Sequence, residues 1–400
     1  MFWIFLAIIF ADQASAFSTY QTTTSAGYLR DASQTARFPV FHTGSFRGLY
    51  NGGVEARVDF VLNRDFATDE WRFFPDQVNV GFPLLGSGAS ERQFNMIAGR
   101  QLFAENFDLA LLDGARASFD QPSLFNFDLH AGWLRTLDMN ELEANEPIVG
   151  AIAGKSVATH HLKAGFSGRG ERLQTKLVAA SLLTEHQGLP LSPRLLLKGE
   201  ASADTGAVDQ SLADLAVTVA SGLDADINFM HRNPRPTDYR DRTSLLYRAF
   251  AVSASESLGA GVSWAATGSS LLRLNGRQVQ FNSGVQREVS HLQEVSYDFP
   301  LSRSSRLAPV ATHIAGYGGE LWDGGLRWVI EVSDLSRVQT DLDVGYLEKV
   351  NGVRGWIHHG RVSYETSLSQ SVKTWVSAQV ERNHYFEFNA RAMAYVTTYL

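Results

Sequence analysis

The sequence predicts an all-β fold: a transmembrane antiparallel up-and-down β-barrel of 16 strands, within a range of 14 to 18. Three observations predict it. Apolar and polar residues alternate with period two along most of the chain, the mark of strands with two different faces. The polar faces carry ionised side chains that a dry core would not tolerate unpaired. After residue 11 no apolar run approaches the roughly 18 residues that a membrane-spanning helix needs.

The chain begins with an unbroken apolar run, residues 2–11 (FWIFLAIIFA), followed by Ala14-Ser15-Ala16. Ten apolar residues with a small-residue cleavage motif read as a secretory signal, residues 1–16, although the run is preceded by no Lys or Arg. Residues 17–37 are an N-terminal segment of unassigned structure, and 38–400 form the barrel. Export without a stop-transfer helix leaves periplasm, outer membrane or exterior as destinations.

Composition narrows the class. The 400 residues include no cysteine, 34 glycines and 11 prolines, and 44% are hydrophobic. That excludes a disulfide scaffold, a cysteine zinc site and intrinsic disorder. Net charge is −7, without the basic surplus of a nucleic-acid binder.

The strongest alternation lies at 54–62, 124–133, 223–231, 325–333, 341–346 and 372–381. In the first, Val54, Ala56, Val58, Phe60 and Leu62 share one face; Glu55, Arg57 and Asp59 share the other. Weaker segments lie near 38–48, 77–82, 94–103, 107–119, 161–167, 172–182, 194–203, 212–220, 245–254, 258–266, 277–287, 290–299, 311–317, 353–364 and 385–399. Asn-Gly and Asp-Gly pairs at 51–52, 113–114, 275–276, 323–324 and 351–352 mark tight turns. Residues 138–157 read as an acidic link. The segments amount to about 16 to 20 candidate strands, and 16 strands would use about 24 residues each, crossing plus connection. An open sheet of this size would expose two edges and a wide apolar face, and closure with the apolar face toward lipid removes both problems. A soluble sandwich or propeller also alternates, but no linker and no blade repeat is visible.

The segment Gly99-Arg100-Gln101-Leu102-Phe103, followed by Phe107-Asp108-Leu109-Ala110-Leu111-Leu112-Asp113-Gly114, resembles the G-R-Q … D-G strand pair of porin-like outer-membrane barrels of Gram-negative bacteria. The resemblance implies a trimeric or monomeric diffusion channel with arginine on the inner wall and acidic groups on an inward-folded loop. Such barrels usually finish on an alternating strand with a terminal aromatic residue. Here the last residues are Tyr399-Leu400, with Met393, Tyr395 and Tyr399 on one side.

The expected function is passive diffusion of small hydrophilic solutes or ions through the outer membrane. Candidate pore-lining residues are Glu55, Arg57, Asp59, Arg100, Asp128, His130, Asp224, Asp226, Arg327, Glu331, Asp341, Asp343, Lys373 and Glu381. Candidates on a constriction loop are Arg232, Arg235, Arg240 and Arg242; the stretch with Asp138, Glu141, Glu143 and Glu146 offers acidic counterparts. Trp71, Trp133, Trp264, Trp322, Trp328, Trp356, Trp375, Tyr395 and Tyr399 are candidates for interfacial girdles. Expected partners are outer-membrane lipid and lipopolysaccharide, the barrel-insertion machinery, small solutes, a possible homo-trimer and no nucleic acid. No cofactor or metal is expected, since adjacent histidines (His160-His161, His358-His359) on a strand point to opposite faces. No enzyme motif is present. Two other readings stay open: a surface or periplasmic β-rich binding or adhesion protein, and a barrel hydrolase using Asp128 and His130.

Overall fold

The computed structural model describes residues 15–30, 36–50, 53–66, 70–85, 93–105, 108–121, 125–135, 146–170, 173–186, 191–233, 254–267, 269–282, 287–316, 319–349, 352, 354–383 and 386–399. The strands are β1 (Ser15–Arg30), β2 (Ala36–Arg37), β3 (Pro39–Tyr50), β4 (Glu55–Asp65), β5 (Glu70–Leu85), β6 (Gln93–Glu105), β7 (Asp108–Gln121) and β8 (Phe125–Arg135). Next come β9 (Glu146–Val157), β10 (His160–Arg169), β11 (Thr175–Glu185), β12 (Arg194–Ser202), β13 (Val208–Ala220), β14 (Leu223–Arg232), β15 (Ala254–Thr267) and β16 (Ser270–Asn282). The remainder are β17 (Arg287–Ser302), β18 (Ser305–Gly316), β19 (Gly319–Ser333), β20 (Ser336–Lys349), β21 (Arg354–Ser369), β22 (Val372–Asn383) and β23 (Phe386–Tyr399).

Every ladder is antiparallel, and each long strand pairs with its neighbours in sequence. β1 pairs with β3 on one side and with β23 on the other, closing the sheet into a barrel. The two-residue β2 only hooks onto the end of β1. The wall therefore has 22 strands, not 16. The discrepancy has a physical reason. Connections at 158–159, 221–222, 303–304, 317–318, 334–335, 370–371 and 384–385 are two residues long, so each strand uses less chain than about 24 residues. Two strands escape the alternation test altogether. β1 (SAFSTYQTTTSAGYLR) is rich in Ser and Thr on both faces, and β9 (EPIVGAIAGKSV) is Gly- and Ala-rich. The segment 245–254 lies almost wholly outside the described residues.

Over much of the wall burial is inverted relative to a water-soluble protein. On β8, β20, β21 and β22 the apolar Leu129, Leu342, Val362 and Val376 are 46–53% exposed, while Asp128, Asp341, Ser363 and Ser377 beside them are 6–8% exposed. Directly paired residues share a face, so registers carry that distinction round the ring. One rung runs Asp224, Ser263, Arg273, Ser296, Val310, Gly325, Asp343, His359 and Glu381, all facing inward. The rung beside it, with Val262, Leu274, Val295, Ala311, Gly324 and Val344, faces outward. An apolar exterior on a closed wall is stable only against lipid, where every backbone group must already be paired. Strands of about 9–11 residues suffice to cross a bilayer, and these run from 9 to 16.

Aromatic residues sit at two outer levels. Trp322 and Trp356 lie near one rim, with Tyr346 against Trp356 at 5.3 Å between ring centroids; Trp264 and Trp328 lie near the other. Trp375 and Tyr395 face inward, 4.8 Å apart, with Tyr399 on the same side. Strands β8 and β14 run in the same direction, away from the two-residue turns at 158–159 and 221–222.

Leu342→Arg, outward on the middle of β20, is expected to cost about 2–4 kcal/mol in denaturant unfolding from lipid vesicles. The inward Thr312→Arg, between Glu294 and Asp323 on its rung, is expected to cost far less. Equal losses for the two variants would contradict the assigned faces.

Candidate functional site

The inner wall is a lattice of charged side chains. Strands β19–β21 hold Asp341 between two arginines: Arg327 Nε donates to Oδ1 at 2.9 Å, and Arg361 donates through Nε (2.9 Å) and a terminal nitrogen (2.6 Å) to Oδ2. Gln339 donates to both oxygens of the same carboxylate. Arg337 donates to Glu365 at 2.7 Å, and His359 Nδ1 lies 2.7 Å from Asp343. On β3–β4, Ser45 Oγ donates to Asp59 at 2.5 Å and Arg57 Nε at 2.6 Å. Arg116 pairs with Asp128, whose other oxygen faces His130 Nδ1 at 3.4 Å.

Several carboxylates lie flat over a glycine on the next strand. A Cβ on Gly261 would sit 2.5 Å from Asp226 Oδ1, and one on Gly325 the same distance from Asp343 Oδ1. Absence of a side chain at these rungs is what leaves room for the acid.

Thirteen of the fourteen proposed wall residues fall on the inner face by register. They are Glu55, Arg57, Asp59, Asp128, His130, Asp224, Asp226, Arg327, Glu331, Asp341, Asp343, Lys373 and Glu381. Arg100 does not; its partner is Asp113, which in turn faces Trp133. Arg232 ends β14 on the inner face, whereas Arg235, Arg240 and Arg242 lie outside the described residues. Glu146 opens β9; Asp138, Glu141 and Glu143 are likewise outside the described residues. His358 and His359 point to opposite faces, the first toward Trp356 and the second toward Asp343. Among the described residues no group of three or more His, Asp or Glu could hold a metal.

The position of Arg100 exposes a feature that alternation could not reveal. Gly99, Gly114 and Gly132 are aligned on β6, β7 and β8. A Cβ on Gly114 would meet Ala131 O at 2.0 Å, and one on Gly99, at φ +114°, would meet Val78 O at 2.2 Å. Three such approaches aligned across neighbouring strands bring the backbones there closer than side chains would allow. The wall is creased there, and the inner face is the concave side.

Beyond the crease, residues 100–105, 108–113 and 133–135 form a three-stranded flap turned into the barrel. The proof is a distance. Phe103 lies opposite Ala110 and His130 opposite Arg116, two positions separated by about 20 Å of extended β7. Yet the rings of Phe103 and His130 are 4.8 Å apart. Phe103, Leu112, Leu134 and Ile148 form the buried apolar cluster under the flap. The ladder between β5 and β6 stops at Val78–Arg100, while β5 stays paired with β4 to Glu70. The flap has thus left the wall along that edge.

The flap's upper face is turned back over the lumen and carries Arg100, Asp113 and Arg135. Arg100 donates to both oxygens of Asp113 (2.5 and 2.7 Å) and to the Pro75 carbonyl at 2.8 Å; Arg135 joins the same carboxylate. A cavity of about 570 Å³ beside it is lined by inward Glu55, Arg57, Asn79 and Arg116 and also by Leu102 of the flap, which is 44% exposed. The Gly-Arg-Gln … Asp-Gly segment therefore supplies the crease through its glycines and the flap's ion pair through its charges.

No known family model matches the chain, and no curated protein matches it. Among solved structures it is similar to the P pilus usher (PapC) translocation pore, with TM-score 0.58 and 9% identity, over 95% of this chain and 99% of that one. It is also similar to Pseudomonas aeruginosa OpdO, with TM-score 0.50 and 8% identity, over 96% of each chain. At these identities the likeness is one of fold: a closed antiparallel barrel of the transmembrane type.

Gly114→Ala is expected to destabilise the protein by about 1–3 kcal/mol through forced overpacking at the crease. Gly324→Ala, on the outer face with its nearest heavy atom 4.0 Å from the added carbon, is expected to be near neutral. Denaturant unfolding of both variants compares them; a silent Gly114→Ala would mean that the crease is not tight.

Proposed function

We propose that this protein is a channel of the Gram-negative outer membrane through which small hydrophilic solutes or ions diffuse, exported by a leader of residues 1–16 whose last two residues are the first two of β1. The closed ring of registers with a charged inner face and an apolar outer face carries the reading. A round wall of 22 strands, spaced about 4.8 Å and tilted about 40°, would be about 44 Å across between backbones. The inward flap takes up part of that width and places Arg100, Asp113 and Arg135 across the path. Selection then follows from the width left open and from the fixed charges that a solute passes. One barrel supplies every inner-face residue, so the conducting unit needs no second copy.

The hydrolase alternative loses its machinery. Asp128 is engaged by Arg116, and with the flap turned inward the His130 side chain is 2% accessible, so the pair is not presented to a substrate in this arrangement. An adhesion protein would have no use for an ionised interior, whose hydration requires a water-filled lumen.

The similar solved structure described as a P pilus usher translocation pore raises translocation of cargo larger than a small solute as a second use of a wide barrel. Size separates the two. Planar-bilayer recording of the purified chain is expected to show discrete conductance steps, and liposomes containing it are expected to admit small sugars and exclude polymers of protein size. A chain that folds into the membrane yet passes no current defeats the channel reading; free passage of the large polymers favours the second.

A further inference from the structure

We propose that the β6–β8 flap is a gate, hinged on Gly99, Gly114 and Gly132, that swings between the inward position described above and alignment with the wall. The inference rests on the channel reading and adds its regulation.

Three features converge on it. The first is the hinge. Crease and straight wall differ by backbone rotation at three aligned residues without side chains, one of which, Gly99, sits at φ +114° where other residues are strained. A rotation at these positions leaves the ladders of β6 with β7 and of β7 with β8 unbroken on both sides of the line. The second is the free edge. β6 is unpaired with β5 beyond Arg100, and β8 has only two rungs with β9 beyond Gly132, at Trp133–Pro147 and Leu134–Glu146. Few backbone hydrogen bonds resist the movement.

The third is the balance of contacts beneath the flap. Phe103, Leu112 and Leu134 bury apolar surface against Ile148, which favours the closed position. Against this, closure buries the Gln101 amide nitrogen and His130 Nε2 without a hydrogen-bond partner. Water would satisfy both on opening, so closure loses through these atoms part of what the apolar contact contributes. Arg100 to the Pro75 carbonyl is the clasp between the flap and β5. An element with a jointless hinge, one released edge and opposed contact terms has two accessible positions.

The chain has no cysteine, so an engineered pair is unambiguous. In planar-bilayer recordings of the full chain, the unmodified protein is expected to switch between two conductance levels. Phe103→Cys combined with His130→Cys, joined between flap and wall by a short reducible bis-methanethiosulfonate linker, is expected to lose the upper level and to regain it on reduction. Switching that persists with the bridge confirmed by mass, or a single level identical in the free and bridged forms, overturns the gate. Heat-modifiable gel mobility verifies that the double variant folds. A readout independent of conductance separates the two claims: Leu112→Cys, buried under the closed flap, is expected to react with an impermeant maleimide. No current in any form defeats the channel reading. No reaction at Leu112→Cys overturns the hinge whether or not current flows.

Discussion

The pairing of backbone polar groups in a medium without water governs this structure. Lipid offers no partner to an N–H or a carbonyl, so a strand that faces it must have both neighbours in place, and a sheet of such strands must close. Closure is met by β1 between β23 and β3. Once the ring is closed, the pleat decides everything else: alternate residues see lipid or lumen. The apolar positions go out and the ionisable ones go in, where water and mutual pairing keep them charged.

The inner wall then has to organise its own charge. Around Asp341 two arginines and a glutamine converge on one carboxylate, and Arg116, Asp128 and His130 make a smaller knot under the flap. These pairs are worth little as stabilisers where water reaches them. Their consequence is positional: each fixes a long side chain against the wall and sets the local sign of charge. Glycines across from Asp226 and Asp343 do the same by absence, letting the carboxylates lie along the sheet instead of projecting from it. The flap obeys the same economy. Three small residues in register let an ordinary antiparallel strand trio leave the cylinder and narrow it, without a dedicated loop.

Much of this was legible in the sequence, and the limits are instructive. Period-two alternation located twenty of the barrel strands and grouped residues such as Arg327 with Glu331 on one face, because the pleat converts sequence parity directly into side. Parity is silent about register. Nothing in the run 99–114 says that Gly99, Gly114 and Gly132 stand beside one another, so the crease and the turned-over Arg100 were invisible, although the motif that makes them was plain. Strand number failed for a related reason. The lower end of the segment count was favoured because it agreed with about 24 residues of chain per strand, whereas two-residue turns at both rims pack more strands into the same chain. β1 and β9 were missed because Thr, Ser, Gly and Ala carry little polarity contrast between faces. Glu294, Arg361 and Glu365 escaped notice because their strands alternate weakly in hydropathy.

The central claim is that side chains of each strand alternate between lipid and a water-filled lumen. The absence of native cysteine allows its most direct test. Single cysteines placed in turn from residue 336 to 349 on β20, in protein reconstituted into vesicles, would be probed with a charged, water-soluble thiol reagent. The account predicts reaction at odd positions such as 339, 341 and 343 and protection at 342 and 344. Uniform reactivity along the strand, or protection of the odd positions with reaction at the even ones, would contradict it.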